Sequence, residues 1–146
     1  MLVLAALDGR KRTLVLDDAQ AELKGAWSRS SGFKPHIGTG YLHDDKRGDG
    51  ESVAVFRVKV PKSGRYDLRM AYSAHETRAT KVPLTIQNGE KVVELLVDQT
   101  QPLPAGEAFR SIGKVELQKD LETTITIRNA ETDGFVILDA LQLVAE

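Results

Sequence analysis

Apolar and polar residues alternate with a period of two along much of this chain of 146 residues. From Tyr66 to Tyr72 every second residue is apolar, and charged residues fill the first positions between them. Similar alternation occupies 54–60, 82–86 and 123–128. Because successive side chains of a strand point to opposite faces, this pattern predicts half-buried β-strands. β-branched residues are frequent in these stretches, which suits a pleated surface.

Turn-forming residues separate the predicted strands at short intervals. Proline and glycine in 61–64 join two of them, and Asn88-Gly89 is the strongest hairpin signal in the sequence. Short strands linked in this way predict an all-β fold, a two-sheet antiparallel β-sandwich. The length suits one domain with a substantial core, and no repeat or linker divides 1–146.

The region that precedes Trp27 fits two structures. One is a short helical turn within 17–24, with Asp18 as its N-terminal cap. The other is a strand over 21–27, with Leu23 and Trp27 pointing inward. The strand is favoured, because the Gly-Ala-Trp sequence that ends it is typical of an entry into a sheet.

Composition narrows the classes of function. The formal net charge is −1, which favours neither nucleic acid nor an anionic membrane as a partner. The chain has no cysteine, so disulfides and thiolate metal sites are excluded. The apolar stretch 1–7 is too short to cross a bilayer and is a poor signal peptide. It is interpreted as a first strand, or as part of a stretch taken from a longer protein.

Seven short motifs follow one another in an order that resembles a known family. They are Gly25-Ala26-Trp27-Ser28, Gly40-Tyr41-Leu42-His43-Asp44, Gly64-Arg65-Tyr66, Thr77-Arg78-Ala79-Thr80, Val97-Asp98-Gln99, Ser111-Ile112-Gly113 and Leu138-Asp139-Ala140-Leu141-Gln142-Leu143. Over 13–144 the chain resembles the golvesin C-terminal domain family, also described as xanthan-lyase-like accessory domains. The resemblance implies a jelly-roll-like β-sandwich of the carbohydrate-binding-module type.

The same resemblance implies a non-catalytic accessory module that binds a carbohydrate or a protein partner. The chain is then expected to be the C-terminal domain of a larger bacterial protein, a polysaccharide-active enzyme or a FAD-dependent oxidoreductase. A purely structural domain that packs against such a catalytic domain is the first alternative, and a stand-alone hydrolase or lyase is the second. No cofactor is expected. The compartment is left open, with export as part of a longer chain as one alternative.

Eight consecutive residues, Gly38 to Asp45, concentrate polar chemistry. His43 with Asp44 or Asp45 could form an acid–base pair or part of a metal site. A role in ordering a long loop by hydrogen bonds is favoured, because the sequence holds no accompanying ligand motif. Gly38 and Gly40 are expected to permit tight turns of the backbone. No residue is assigned a catalytic role.

A shallow ligand site is predicted where this segment meets more distant motifs. Sugar sites combine an aromatic plane with a few polar groups, and the aromatics considered for stacking are Trp27, Phe33, Tyr41 and Tyr72. Tyr41 is the best exposed candidate, since Tyr72 alternates with core residues and Trp27 is more typical of a core. The ligand-binding set relies on the family fold to bring distant segments together, and it consists of Tyr41, His43, Asp44, Arg78 and Gln99.

Asp139 is the unusual acid of the chain. It lies within 135–143, where apolar residues occupy both alternating faces, so this strand is expected to be buried on both sides. A buried carboxylate is costly unless it is paired. A structural ion pair between Arg78 and Asp139 is therefore predicted, because a guanidinium binds a carboxylate bidentately. The alternative is that Arg78 clamps a ligand.

Four acids in 44–51 could attract calcium. Their order differs from that of an EF-hand loop, and two basic residues interrupt them. A solvated loop is favoured, and no metal site is predicted.

Overall fold

A computed structural model describes residues 3–7, 12–33, 36–37 and 40–146 of the chain. Within this part the fold is built from β-strands, with one short 3₁₀ turn, Asp18–Gln20. The strands are β1 (Val3–Leu7), β2 (Arg12–Asp17), β3 (Glu22–Lys24), β4 (Ser28–Ser30), β5 (Tyr41–His43), β6 (Asp49–Val58), β7 (Gly64–Ala71), β8 (Val82–Asn88), β9 (Lys91–Val97), β10 (Arg110–Leu117), β11 (Thr123–Ala130), β12 (Ile137–Leu138) and β13 (Ala140–Ala145). None of the described residues forms a helix long and apolar enough to cross a membrane.

Two five-stranded sheets form the body of the domain. The strand order is β1-β2-β13-β7-β10 in the first sheet and β3-β6-β11-β8-β9 in the second. Neighbouring strands in both sheets run antiparallel. A small third sheet has the order β12-β5-β4. The predicted two-sheet antiparallel β-sandwich is therefore confirmed, with the third sheet as an addition.

The core lies between the two large sheets and follows the alternation of the sequence. Leu68 and Leu141 come from the first sheet, and Phe56 comes from the second. Tyr66 and Tyr72 are also buried, as the alternation predicts. Full burial of side chains of this size contributes roughly 1.5–3 kcal/mol each, so the alternating strands supply the main stabilisation of the fold.

Several connections gather at one end of the sandwich. Ala140, the first residue of β13, pairs with Asp17 at the end of β2 and with Ala71 at the end of β7. Asp139 alone separates β12 from β13, so the third sheet continues from this same end. We call this region the loop end, and it comprises 17–20, 28–33, 36–37, 40–48, 72–81 and 131–139.

The region before Trp27 combines both predicted structures. Asp17, rather than Asp18, caps the 3₁₀ turn with its carboxylate. The strand that follows is β3, which is shorter than predicted. Leu23 is 42% exposed, so the prediction that it points inward is wrong. The reason is that β3 lies at the edge of the second sheet, where all three of its residues are exposed. Trp27 packs against the core, as expected.

The hairpin predicted at Asn88-Gly89 is confirmed. β8 and β9 pair without a break from Val82 opposite Val97 to Asn88 opposite Lys91. Gly89 has a φ of 62°, a backbone conformation that residues with a side chain rarely adopt. The glycine therefore permits the tight turn between these strands.

Candidate functional site

Four of the five predicted ligand-binding residues meet at the short segment that leads into β12. The ring of His43 packs edge-on against that of Phe135, with 5.6 Å between the ring centroids. Arg78 forms an isolated parallel bridge with Phe135. Asp44 and Gln99 bind the backbone of the next two residues. The sequence motifs thus converge in space, although around backbone groups of the protein itself.

Asp44 is fully buried and its carboxylate accepts from four donors. Oδ1 accepts from the backbone N–H of Val136 at 2.9 Å and from that of Lys46 at 3.0 Å. Oδ2 accepts from Nδ2 of Asn129 at 2.9 Å and from the N–H of Gly48 at 3.5 Å. A carboxylate with this many donors ties its loop to two neighbouring segments.

The acidic loop is solvated only in part. Asp45, Asp49 and Glu51 are exposed, as predicted for a solvated loop, but Asp44 is interior. The N–H of Glu51 donates to Asp49, and this bond lowers the pKa of the Asp49 carboxyl. Within the described part of the chain, no three His, Cys, Asp or Glu side chains are placed to hold one metal ion.

The side-chain amide of Gln99 pairs with the backbone of Ile137 inside the fold, as a neighbouring strand would. Its Oε1 accepts from the N–H of Ile137 at 2.8 Å, and its Nε2 donates to the carbonyl of Ile137 at 2.9 Å. Its own N–H donates to the carbonyl of Ala79 at 2.9 Å. Gln99 and Asp44 are both fully buried, so their burial argues against direct contact with a ligand.

The predicted ion pair between Arg78 and Asp139 is wrong. The Arg78 Nε donates to the carbonyl of Ser73 at 2.9 Å, and Nη2 donates to the Ser73 Oγ at 3.1 Å. Oδ2 of Asp139 accepts instead from the N–H of Ile37 at 2.8 Å. The physical reason is that the Arg78 guanidinium already has partners close by. The oxygens of Ser73 accept its hydrogen bonds, and the ring of Phe33 lies beside it. Burial lowers the pKa of Arg78.

His43 orders the loop that follows it. Its Nδ1 accepts from the N–H of Asp45 at 3.1 Å and lies 3.4 Å from Oδ1 of the same residue. The His43 side chain is 18% exposed. These contacts match the loop-ordering interpretation, and of the two acids considered for a pair with His43 it is Asp45, rather than Asp44, that lies beside the ring.

Gly40 permits a close approach of two segments. A Cβ at this position would lie 2.5 Å from the carbonyl oxygen of Ser30, which is too close for a real contact. The tight turn expected at Gly38 lies outside the described residues. The absence of a side chain at Gly40 therefore permits the close approach of β5 to β4, and the next residue, Tyr41, is buried in the core.

One aromatic at the loop end is exposed. The side chain of Phe33 is 42% exposed. Its ring centroid lies 4.6 Å from the guanidinium carbon of Arg78 and 4.8 Å from the centroid of the His75 ring. We call this group the Phe33 cluster, and it consists of Phe33, His36, Tyr41, His75, Thr77 and Arg78.

Tyr41 supports the Phe33 cluster from inside. It is 2% exposed, so its predicted role as the exposed aromatic is wrong. Its hydroxyl accepts from the backbone N–H of Phe33 at 3.2 Å. Its ring centroid lies 6.3 Å from that of His36. The same hydroxyl raises the pKa of Arg78 and so opposes the effect of burial on this guanidinium.

His75 and Thr77 form a polar rim beside the exposed ring. The His75 Nδ1 lies 2.8 Å from the Thr77 Oγ1 and accepts from the Thr77 N–H at 3.2 Å. The backbone below is held by Phe135, whose N–H donates to the Thr77 carbonyl and whose carbonyl accepts from Ala79. A rim fixed before binding loses little conformational freedom on binding a ligand.

Reasoning from the sequence missed part of this cluster. The sequence patterns mark none of His36, His75 and Thr77 as a site residue, and they favour Tyr41 over Phe33 as the exposed aromatic. The available signal was that Phe33 follows two serines and a glycine without alternation, which is typical of an exposed loop. Tyr41 stands in a short strand that the sequence did not reveal, and its burial follows from that strand.

A separate cleft of about 450 Å³ lies at the opposite end of the sandwich. Its aromatic, Tyr66, is 2% exposed, and the Tyr66 hydroxyl donates to the carbonyl of Lys62 at 2.5 Å. Arg65 in the same cleft pairs with Glu146 at 3.3 Å. Because this cleft offers no exposed ring, the loop end is the better candidate site.

The two antiparallel sheets, with loops gathered at one end, define the class of protein as an all-β sandwich domain. Residues 14–145 match the model of the Golvesin C-terminal domain. The chain therefore belongs to this family. A xanthan lyase of Bacillus sp. (strain GL1) is 30% identical over 132 residues, which are 88% of this chain and 14% of that protein.

Solved structures agree with this assignment. The structure of a Paenibacillus xanthan lyase has a TM-score of 0.82 and 29% identity, over 92% of this chain and 13% of that chain. A family 35 carbohydrate-binding module from Clostridium thermocellum has a TM-score of 0.65 and 19% identity, over 90% of this chain and 98% of that chain. The second likeness shows the fold alone. The chain thus spans a small part of each lyase and nearly all of the isolated module.

Proposed function

We propose that this domain is a non-catalytic accessory module that binds a carbohydrate at the Phe33 cluster and serves a larger polysaccharide-active enzyme. The observation that carries the proposal is the exposed ring of Phe33. The faces of sugar rings stack on aromatic side chains, and nearby polar groups bind hydroxyls. Thr77 and His75 stand at the edge of the ring and supply such groups.

The charge beneath the ring supports this proposal. The guanidinium carbon of Arg78 lies 4.6 Å from the centroid of Phe33, and such cation–π contacts are worth about 0.5–2 kcal/mol. Arg78 is itself fixed by Ser73. The ring is therefore held in one orientation before a ligand arrives, although 42% of its residue surface stays exposed.

The parent protein is proposed to be polysaccharide-active rather than a FAD-dependent oxidoreductase. The relatives found by sequence and by structure are both named xanthan lyases. Xanthan is accordingly the first polysaccharide to test, beside neutral polysaccharides such as mannan.

The direct test is affinity electrophoresis of the domain and of Phe33→Ala in gels that contain one polysaccharide each. We expect xanthan or another polysaccharide to retard the unchanged domain. Phe33→Ala should bind it about tenfold more weakly, which corresponds to about 1.4 kcal/mol of lost stacking. The matched control is Leu96→Ala, which shortens an apolar side chain that is 66% exposed on β9.

Equal retardation of the domain and both variants would contradict a role for Phe33. Failure of every polysaccharide to retard the domain would contradict carbohydrate binding and favour the structural alternative, packing against a catalytic domain. One observation favours that alternative: Val92 and Leu96 on β9 are 52% and 66% exposed. Thermal melts of the variants show that any loss of binding is not a loss of folding.

A further inference from the structure

Two buried carboxyl groups lie side by side where the loop end meets the first sheet. Ala140 pairs with Asp17 at the end of the β2–β13 ladder, and Asp139 and Asp18 are the residues just beyond that pair, Asp18 being the first residue of the 3₁₀ turn. Asp139 is 2% exposed and Asp18 is 3% exposed. Oδ1 of Asp139 and Oδ2 of Asp18 are buried without a hydrogen-bond partner.

Charges from two strands face these carboxyl groups. Asp17, at the end of β2, adds negative charge, and Arg29 on β4 adds positive charge. Nη2 of Arg29 lies 3.2 Å from Oδ1 of Asp18, but the Arg29 side chain is 48% exposed. One half-exposed cation therefore stands against three neighbouring acids, which disfavours ionisation of the buried pair.

Asp139 also holds the segment 36–37 of the loop end. The N–H of Ile37 donates to Oδ2 of Asp139 at 2.8 Å across 102 residues of sequence. His36 immediately precedes Ile37, and its ring faces Tyr41 in the Phe33 cluster. The buried carboxyl thus contacts the loop that carries part of the candidate site.

We propose that Asp139 is a pH-sensitive latch on segment 36–37, closed when its carboxyl group is neutral and loosened when the group ionises. A buried carboxylate needs water or a charged partner, and water reaches Asp139 if segment 36–37 moves away.

The pKa values of the two buried acids agree with this proposal. Burial, with the negative charges of Asp18 and Asp17, raises the pKa of Asp139 to about 7 against the lowering effect of the Ile37 hydrogen bond. Burial also raises the pKa of Asp18 to about 6, opposed by Arg29. The folded state therefore binds these protons more tightly than the unfolded state. Stability should fall as the pH rises from about 4 towards 7.

The test compares the domain with Asp139→Asn between pH 5 and pH 8 by thermal melts and hydrogen exchange. We expect the Tm of the unchanged domain to fall by roughly 5–10 °C over this range. Exchange protection at Ile37, corrected for the intrinsic pH dependence, should fall about tenfold. Asp139→Asn keeps an oxygen acceptor for Ile37 but cannot ionise, so both changes should be much smaller in this variant.

The control is Asp133→Asn. Hydrogen bonds from Thr80 lower the pKa of Asp133, so the ionised Asp133 contributes stability at neutral pH. The contribution of Asp133 to the pH dependence of the Tm is therefore opposite in sign to that of Asp139. If Asp139→Asn does not fold, Asp18→Asn should still reduce the pH dependence of the Tm in part.

Two outcomes would overturn the latch. One is a Tm of the unchanged domain that stays level or rises from pH 5 to pH 8. The other is a Tm raised by millimolar CaCl₂ in the unchanged domain but not in Asp139→Asn, which would assign the unpartnered oxygens to a cation. Neither readout uses a carbohydrate, so the latch and the proposed function fail separately.

Discussion

At the scale of single residues, buried polar side chains rather than exposed ones fix the loop end. Asp44 and Gln99 are fully buried, and their partners are backbone groups of neighbouring segments together with the amide of Asn129. A buried donor that loses its acceptor costs about 1–3 kcal/mol. These two residues are therefore expected to determine stability, whereas Phe33 is expected to determine binding.

Asp44→Ala should lower the free energy of unfolding by about 3 kcal/mol or more, because four donors lose their acceptor. The control is Asp45→Ala, which removes an exposed carboxylate next to it and should cost less than about 1 kcal/mol. Urea unfolding measures both changes through the midpoint at constant slope. Similar losses in the two variants would show that the buried carboxylate does not hold the loop.

At the scale of elements, the loop after β7 crosses the segment before β12 at very short distance. A Cβ on Gly134 would lie 2.6 Å from the carbonyl atoms of Arg78 and from the carbonyl oxygen of Thr77. Two backbone bonds of Phe135 hold the crossing together. The position of the polar rim in the Phe33 cluster thus depends on the absence of a side chain at Gly134.

Gly134→Ala should destabilise the domain by about 2 kcal/mol or more, since the backbone of 77–78 must shift. Gly32→Ala is the matched control. The nearest atom to its Cβ would be the Ser30 Oγ at 3.6 Å, so the change should stay within about 0.5 kcal/mol. Thermal and urea unfolding of both variants test this, and a Gly134→Ala domain as stable as Gly32→Ala would refute the close crossing.

At the scale of the whole molecule, β13 is the central strand of the first sheet. It pairs with β2 on one side and with β7 on the other, whereas β1 at the edge pairs with β2 alone. Leu141 and Leu143 on β13 are buried in the core. The last described strand therefore completes the sandwich, and the first one extends it.

Removal of 140–146 should abolish cooperative unfolding, because β2 and β7 then lose a shared neighbour together with its core side chains. Removal of 1–7 should leave a folded domain with a lower Tm. Far-UV circular dichroism during heating distinguishes the two truncations. A cooperative melt without 140–146 would mean that the two halves of the first sheet are stable apart.

The strands were predictable because their signal is local. Alternation from Tyr66 to Tyr72 matches β7, and Asn88-Gly89 matches the turn between β8 and β9. The site was less predictable. Exposure of Tyr41 and pairing of Arg78 with Asp139 both depend on which loop covers which side chain, and no local pattern records that.

The sequence by itself determined an all-β sandwich, the burial of both faces around Asp139, and the family to which the chain belongs. Side-chain period, turn residues and ordered motifs carry that information at short range. Only the tertiary structure decided that Arg78 turns to Ser73 and Phe33, and that Asp139 holds Ile37. The physical reason is that a buried charge takes the partner that folding brings within hydrogen-bond distance, and that partner is set by the crossing of loops far apart in the chain.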